Sequence, residues 1–166
     1  MKLQPVPNTN DLMKVVTHTV APETRLADVI DYLTRCGVSS VLVVREENGK
    51  RVLLGLLSEG DCLEHLSNEL FYGSPMPIQT AATIMKRHPL CVTTDTDVFA
   101  LSSIFVSHNY HYLPVIEGQF LVGIVCRSDV LRSLDEYYRQ WVKLHDDERT
   151  PIDVHEIMNH RFLVKV

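Results

Sequence analysis

The sequence contains two successive versions of one pattern, and this duplication limits the fold more than any other feature. Leu12-Met13-Lys14 returns as Ile84-Met85-Lys86, and the segment 55–61 returns as 123–129. Position 13 corresponds to 85 and position 61 to 129, so the offset falls from 72 to 68 along the chain. That change places one loop of different length inside the repeat. A repeat too small to enclose a core usually buries its apolar face against its copy, and the seam between copies is a natural ligand site.

The bulk composition excludes several classes of protein. The 166 residues are 45% hydrophobic and 22% charged, which supports an ordinary core. A net charge of -5 and an isoelectric point near 5.9 argue against binding to nucleic acid. No apolar run approaches the roughly 20 residues of a membrane helix, and the N-terminus lacks the apolar stretch of a signal peptide. We therefore expect a cytoplasmic protein with no nucleic-acid partner and no membrane insertion.

The cysteines and histidines show no metal-site or disulfide pattern. No C-x-x-C motif is present, which disfavours a disulfide framework or a zinc site. Each cysteine lies in an apolar or helical stretch, where a free thiol behaves as a small hydrophobic side chain. The eight histidines show no ligand spacing either. We expect no metal site and four structural thiols, at Cys36, Cys62, Cys91 and Cys126.

Apolar spacing predicts the same order of elements in both halves: strand, helix, strand, strand, helix. In the first half an apolar helical face follows Thr24, a candidate N-cap, and ends near Cys36-Gly37. Two β-branched runs then flank Asn48-Gly49, a strong hairpin signal. The predicted strands are 15–20, 40–45, 51–57, 91–93, 112–116 and 120–125, and the predicted helices are 24–36, 58–70, 97–108 and 128–146.

This order predicts an α/β (α+β) fold of two pseudo-symmetric β-α-β-β-α repeats packed sheet to sheet, with helices covering the other faces. We expect the first repeat at 10–72, a linker at 73–79, and the second repeat at 80–146. The second repeat has an extended final helix, and a tail follows at 147–166. Residues 157–164 echo 84–92, which leaves two interpretations open for the tail: the opening of a third copy or an added edge strand.

The extended final helix carries an apolar stripe, formed by Leu131, Leu134, Tyr138, Trp141, Val142 and His145. One interpretation is that the stripe packs on its own repeat. The other is a dimer surface, because large aromatic side chains are costly to leave in water.

The strongest candidate for chemistry is the pattern Gly-apolar-apolar-Ser/Cys-x-x-Asp, which joins a strand to a helix in each copy. Glycine lets a ligand approach the backbone closely, and the helix N-terminus suits phosphate. The aspartates, Asp61 and Asp129, accept two donors together, as the vicinal hydroxyls of ribose supply. The alternative is a plain helix cap, which Ser58-x-x-Asp61 also matches. The recurrence of the glycine in both copies favours a ligand.

These residues resemble a tandem pair of cystathionine β-synthase (CBS) domains. The resemblance covers about residues 10–140 and is carried by the duplicated unit, by 84–86, by Leu113-Pro114-Val115 and by both glycine-to-aspartate segments. It implies two clefts between the halves that bind adenosine-containing ligands, such as AMP, ADP, ATP or S-adenosylmethionine. It also implies a non-catalytic regulator of another protein.

The resemblance assigns roles to particular positions. The ribose aspartates map onto Asp61 and Asp129, and the hydroxyl beside the ribose or phosphate maps onto Ser58. The second copy has Cys126 at the hydroxyl position, which removes a good hydrogen bond. A family proline maps onto Pro114, where the first copy has Leu42.

The two clefts are expected to differ. We expect the Asp129 cleft to be the better nucleotide site, with basic residues near the phosphate and aromatic residues beside the base; the Asp61 cleft has Glu59 in place of Arg127. Plain structural roles remain the alternative, namely strand packing for the tyrosines and a solvated charge for Arg127. The predicted ligand-binding residues are Lys86, His88, Tyr110, His111, Tyr112, Pro114, Cys126, Arg127, Ser128 and Asp129, with His18, Ser39, Ser40, Ser58 and Asp61 in the other cleft.

The sequence therefore predicts a non-catalytic homodimeric sensor of adenine nucleotides that acts on a partner enzyme or transporter. No serine-hydrolase elbow, zincin motif, phosphate loop or Rossmann pattern occurs. We expect no required cofactor and an adenine nucleotide or S-adenosylmethionine as ligand. The alternatives are a ligand-free interaction or dimerisation module, and an enzyme that uses Asp129 and His111 on a nucleotide.

Overall fold

Each half of the chain folds into a β-hairpin flanked by helices. The computed structural model describes residues 4–73 and 77–146. The elements are α1 (Thr9–Leu12), β1 (Thr19–Val20), α2 (Leu26–Cys36), β2 (Ser40–Glu47), β3 (Lys50–Ser58), α3 (Glu59–Tyr72), α4 (Ala81–Ile84), β4 (Lys86–Arg87), α5 (Val98–Ser107), β5 (Tyr112–Glu117), β6 (Phe120–Cys126) and α6 (Arg127–Asp146).

Local chemistry explains the boundaries that the sequence predicts well. α2 buries Leu26, Val29 and Leu33 on one face and ends at Gly37, whose φ of 63° is a left-handed conformation. The turn between β2 and β3 has positive φ at both Asn48 and Gly49, the geometry of a type I′ hairpin. The mixed α/β fold with two equivalent repeats is confirmed.

Two predicted strands and one predicted cap differ from the structure. The strand expected at 15–20 is reduced to Thr19–Val20, and the one expected at 91–93 to a single bridge from Val92 to Val115. Thr24 does not cap α2. The N-cap is Arg25, and the backbone carbonyl of Thr24 accepts a hydrogen bond from Ala81 at 2.8 Å. These segments pair with neighbours that are distant in sequence, which a local pattern does not reveal.

The strands form one sheet in the order β1-β2-β3-β6-β5, with β4 paired to β3. The two hairpins are joined at Val52 and Phe120. A shared apolar layer lies between the repeats, with Leu42 and Val44 from the first packing beside Leu121 and Ile124 from the second. The helices cover the opposite faces, as expected.

The short segment that opens each repeat packs on the other repeat. Lys14 exchanges backbone hydrogen bonds of 2.8 and 2.9 Å with Ile124 on β6. In the same way, β4 pairs with β3, where Lys86 lies opposite Leu56. The two contacts are equivalent under the duplication.

This exchange completes both cores. Ala81 and Met85 belong to the core of the first repeat, and Leu12 and Met13 pack against that of the second. The packing units therefore cross the sequence boundaries expected at 10–72 and 80–146, and those boundaries stay a prediction.

The apolar stripe of α6 is largely uncovered. Leu131 is 67% exposed, Tyr138 60% and Trp141 41%, whereas Leu134 packs partly against the core of its own repeat. The residues line a groove of about 670 Å³ beside Phe99. No helix within residues 4–73 or 77–146 is both long and apolar enough to cross a membrane. The tail at 147–166 lies outside the described residues.

Candidate functional site

Two clefts lie between the repeats, and the duplication relates them. The first, here the Ser58 cleft, has a volume of about 340 Å³. The second, the Cys126 cleft, has a volume of about 390 Å³. The Ser58 cleft is lined by residues 39–40, Leu56, 58–60, Lys86, 89–90 and 109–114. The Cys126 cleft is lined by 16–18, 37–40, Leu42, Tyr112, Ile124 and Cys126.

Equivalent positions occupy equivalent places in the two clefts. Ser58 corresponds to Cys126, and both end the last strand of a repeat. Tyr110 in the Ser58 cleft corresponds to Val38 in the Cys126 cleft, with the same offset of 72 positions. The two clefts are thus lined by equivalent positions, but most of these positions hold different residue types.

Ser40 and Tyr112 form a wall shared by both clefts. They line both sites, and Ser40 Oγ donates to the Tyr112 hydroxyl at 3.0 Å. They are also equivalent residues, separated by 72 positions. Burial raises the pKa of Tyr112, and the Ser40 hydrogen bond partly offsets this rise. The local symmetry axis therefore passes close to this hydrogen bond.

The start of α3 is a complete capping box. Asp61 N donates to Ser58 Oγ at 3.2 Å, and Ser58 N donates to Asp61 Oδ2 at 2.8 Å. Lys86 Nζ stands 2.9 Å from the other oxygen, Oδ1. Burial raises the pKa of Asp61, but the hydrogen bonds from Ser58 and Lys86 outweigh burial and leave the pKa below its ordinary value. The capping role considered for Ser58 and Asp61 is thus present.

The start of α6 places Asp129 among different neighbours. Its side chain is 9% exposed, with Lys14 Nζ 2.7 Å from Oδ2 and Arg132 Nη1 3.4 Å from Oδ1. The Lys14 ammonium is therefore the charged partner of Oδ2, and the Arg132 guanidinium is a longer contact of the other oxygen. Burial and the nearby Asp129 raise the pKa of Cys126.

The structure corrects the expected grouping of site residues. Lys86 contacts Asp61 rather than Asp129, and Lys14 occupies the equivalent place beside Asp129. Residues 110–114 line the Ser58 cleft. The cause is the exchange of opening segments, which brings the loop of one repeat to the helix start of the other. The expectation that the Asp129 cleft holds Lys86 and Tyr110 was wrong, whereas Tyr112 lines both clefts.

The remaining predicted residues occupy several places. Ser39 and Ser40 line both clefts, His111 and Pro114 the Ser58 cleft, and His18 the Cys126 cleft. His18 Nδ1 lies 3.1 Å from the Tyr32 hydroxyl. Ser128 is exposed in the first turn of α6. His88 lies outside both clefts, in a separate groove with Arg87 and Arg45, so its position does not support a ligand contact.

Arg127 contacts two residues that line the Ser58 cleft. Its guanidinium lies 3.4 Å from Asn109 Oδ1 and 3.3 Å from His111 Nδ1, and both residues line the Ser58 cleft. Its backbone amide donates to His111 O at 3.0 Å, as that of Glu59 does to Ser39 O at 2.9 Å.

Sequence reasoning missed several lining or contacting residues, namely Lys14, Pro89, Leu90, Asn109 and Arg132. Lys14 had a readable signal, because it precedes Lys86 by 72 positions, the offset of the early repeat. Arg132 also had one, because it follows Asp129 by three positions on a predicted helix. Pro89, Leu90 and Asn109 had none, since loop residues are brought to the cleft only by tertiary packing.

The glycines of the repeated pattern serve the chain itself rather than a ligand. A Cβ at Gly55 would lie 2.7 Å from both Lys86 O and Met85 Sδ, and one at Gly123 would lie 3.0 Å from Lys14 O. Gly55 and Gly123 therefore admit the opening segment of the other repeat, which corrects the expectation that they admit a ligand. Within the described ranges, no group of three His, Cys, Asp or Glu side chains is placed to hold a metal ion.

Comparison with known proteins shows a clear family relationship. The sequence matches the CBS domain family over residues 10–68 and 81–136. It is 34% identical over 122 residues to protein MJ0188 of Methanocaldococcus jannaschii, a match that covers 72% of this chain and 40% of that protein. It is 27% identical over 133 residues to the A-adding tRNA nucleotidyltransferase of Geobacter sulfurreducens, covering 80% of this chain and 14% of the enzyme. The chain thus spans less than half the length of these curated relatives.

Solved structures share the fold. CBSX2 of Arabidopsis thaliana, crystallised with AMP, has a TM-score of 0.63 and 24% identity, covering 78% of this chain and 96% of its own. The CBS domain pair of MJ0100, in complex with 5′-methylthioadenosine and S-adenosyl-L-methionine, has a TM-score of 0.61 and 20% identity, covering 80% and 98%. At these identities the likeness establishes the shared architecture.

Proposed function

The chain belongs to the CBS domain family, and from this premise we propose that it is a non-catalytic regulatory module that binds adenosine-containing ligands in the clefts between its repeats. The proposed ligands are AMP, ADP, ATP or S-adenosylmethionine. The observation that carries the proposal is the pair of equivalent clefts, each beside a buried aspartate at a helix start. The AMP and S-adenosylmethionine bound to structural neighbours support the ligand class.

The Ser58 cleft is the better place for an adenine ring. Tyr110 and Tyr112 line it, together with Leu56 and Leu90, whereas the Cys126 cleft has Val38 at the position of Tyr110. An aromatic face against a base contributes about 1–3 kcal/mol. This assignment replaces the expectation that favoured the cleft at Asp129.

Ribose binding at Asp61 requires a change of partner. The carboxylate already accepts from Ser58 on Oδ2 and contacts Lys86 through Oδ1. Lys86 is 71% exposed and also lines the cleft, so its ammonium can leave the carboxylate for a phosphate when ribose hydroxyls replace it. A ligand that brings both groups therefore keeps every charge paired.

The test is isothermal titration calorimetry with AMP, ADP, ATP and S-adenosylmethionine. We expect Tyr110→Ala to weaken AMP binding in the Ser58 cleft about tenfold, which corresponds to one stacking contact, and Asp135→Ala, on the exposed face of α6, to leave AMP binding unchanged. Absence of heat with every ligand, together with no thermal stabilisation at millimolar concentration, would favour the ligand-free interaction module.

We also propose that the protein is a homodimer that forms through α3 and α6. The two helices carry apolar side chains at equivalent positions, Leu63, Leu66 and Leu70 in one and Leu131, Leu134 and Tyr138 in the other, and all of them except the partly buried Leu134 are exposed. A second copy would cover both stripes with one self-complementary face.

Sedimentation velocity tests the dimer. Leu131→Glu is expected to shift the protein to a monomer, because a buried charge at the seam is costly. The matched control is Val106→Glu on α5, where an 85% exposed side chain lies away from the stripe. A wild-type monomer at tens of micromolar, or an unaltered dimer in Leu131→Glu, contradicts the proposal.

The output is proposed to reach a partner enzyme or transporter through a surface that changes when the clefts fill. A ligand can do this only by its difference in affinity for the competing arrangements of the repeats. The proposed location is the cytoplasm, in keeping with four free cysteines.

A further inference from the structure

The helix starts beside the two clefts carry opposite charges at equivalent positions. Glu59 and Glu64 on α3 correspond to Arg127 and Arg132 on α6, each with the offset of 68 that relates Asp61 to Asp129. A lysine contacts the aspartate in both repeats, Lys86 at Asp61 and Lys14 at Asp129. The two sites therefore differ by four formal charges while sharing their central ion pair.

These charges lie close to the paired groups. Arg132 Nη1 is 3.4 Å from Asp129 Oδ1, while Lys14 holds Oδ2. In the first repeat Glu59 lines the Ser58 cleft. Glu64, Lys86 and Asp61 line a neighbouring polar pocket of about 390 Å³. The α6 start thus has two cations in contact with Asp129, with Arg127 two residues before it in the chain, whereas the α3 start has one cation in contact with Asp61 and two further carboxylates, Glu59 and Glu64, nearby.

The second carboxylate oxygen has different neighbours at Asp129 and at Asp61. One oxygen of each aspartate contacts a lysine, Lys14 at Asp129 Oδ2 and Lys86 at Asp61 Oδ1. The other oxygen of Asp61 accepts from Ser58 N at 2.8 Å, whereas the other oxygen of Asp129 lies 3.4 Å from Arg132 Nη1. The second repeat therefore has an arginine where the first repeat has a neutral cap.

We propose that the two clefts select adenosine ligands by phosphate charge. The Cys126 cleft, beside the basic start of α6, takes a nucleoside di- or triphosphate. The Ser58 cleft, beside the acidic start of α3, takes an uncharged or singly phosphorylated nucleoside. This inference rests on the proposed binding of adenosine ligands and adds how the two sites divide them.

Arg127 is free to take part in phosphate binding. Its contacts to Asn109 and His111 are long and exposed, so turning toward a phosphate replaces weak interactions by a charge-assisted hydrogen bond. Arg132 keeps its place beside Asp129 and adds a second cation. Sites of this charge attract polyphosphates, and the attraction weakens as salt rises.

The experiment titrates adenosine, AMP and ATP, without magnesium, into the wild-type protein and three variants. We expect Arg127→Gln/Arg132→Gln to weaken ATP binding about tenfold or more and to leave adenosine binding unchanged. Glu59→Gln/Glu64→Gln is expected to tighten ATP at the Ser58 cleft several-fold. The control is Arg139→Gln, which removes a positive charge farther along α6, where Arg139 pairs with Asp135 at 2.8 Å.

The outcomes separate this inference from the proposed function. Equal ATP affinity in all four proteins, with adenosine and AMP still bound, overturns the division by charge and leaves adenosine binding intact. Loss of ATP and adenosine together in the double-arginine variant also overturns the division, because one cleft would then serve both. Failure of every ligand to bind the wild-type protein overturns both the inference and the proposed function.

Discussion

At the scale of single residues, the symmetry of the fold is broken where the two repeats meet. Ser40 and Tyr112 hold equivalent positions, yet their side chains lie on the same axis and must share its space. Two tyrosines would collide there and two serines would leave a void, so one small and one large residue satisfy the packing. Any ligand in either cleft contacts a wall that the other cleft also uses.

Asp61 provides a prediction about pH and stability. Its pKa is below the ordinary value in the folded protein, so its contribution to stability is present above about pH 4 and is lost as the pH falls through the folded pKa. At neutral pH, Asp61→Asn is expected to lower the free energy of unfolding by about 1–2 kcal/mol.

Urea unfolding at a series of pH values checks this prediction, with Asp28→Asn, an exposed acid in the first turn of α2, as the control. The gap between wild type and Asp61→Asn should narrow below pH 4. A gap that stays constant down to pH 2.5 would contradict the assignment.

At the scale of elements, the strand–segment contacts depend on two glycines. β3 accepts β4 at Gly55, where a Cβ would lie 2.7 Å from the Lys86 carbonyl oxygen. The equivalent clearance at Gly123 is 3.0 Å. The tighter contact in the first repeat should make that repeat the more sensitive to substitution.

Gly55→Ala is expected to destabilise the protein by about 1–3 kcal/mol, because overpacking moves the opening segment. Gly123→Ala should cost less. Gly60→Ala is the matched control, since its Cβ would lie 3.6 Å from Ser58 Oγ and alanine favours a helix. Denaturant midpoints measure all three, and equal midpoints for Gly55→Ala and Gly60→Ala would refute the crowding at β3.

Most elements follow from the sequence, whereas the membership of each cleft does not. The helical face of 26–33 and the turn at Asn48-Gly49 are local signals, and the structure has both. Lys86 looks like a residue of the second repeat by its position in the chain, but it contacts Asp61 in the first. Gly55 indicates that another group lies close to the backbone, but the sequence does not indicate whether that group is a ligand or another segment of the chain. Pairings between distant segments therefore set the limit of what a local pattern can predict.

At the scale of the whole molecule, each repeat depends on a segment that precedes the other. Leu12 and Met13 pack against the core around Val98 and Leu101. Thr9, fully buried, holds the same segment to Thr96 O through a side-chain hydrogen bond of 3.0 Å. The N-terminal segment is therefore part of the second repeat in space.

A variant that begins at residue 15 is expected to lose protection from hydrogen exchange in α5 (Val98–Ser107) and to keep it in α2 (Leu26–Cys36). Mass spectrometry of exchanged peptides measures both helices in one sample, so α2 is the internal control. Equal loss in both helices would mean that the repeats unfold as one unit, and unchanged protection in α5 would mean that the segment is dispensable.

The reciprocal packing of the opening segments also bears on how such a chain could arise. A solitary ancestral repeat would have carried both an opening segment and a last strand able to receive such a segment, as β3 and β6 do here. Two ancestral polypeptides could have exchanged their opening segments, so that each segment packed on the other polypeptide, as in domain-swapped pairs. Fusing the two genes end to end then keeps the segment exchange within one molecule. The halves can afterwards diverge in charge while each still needs the opening segment of the other.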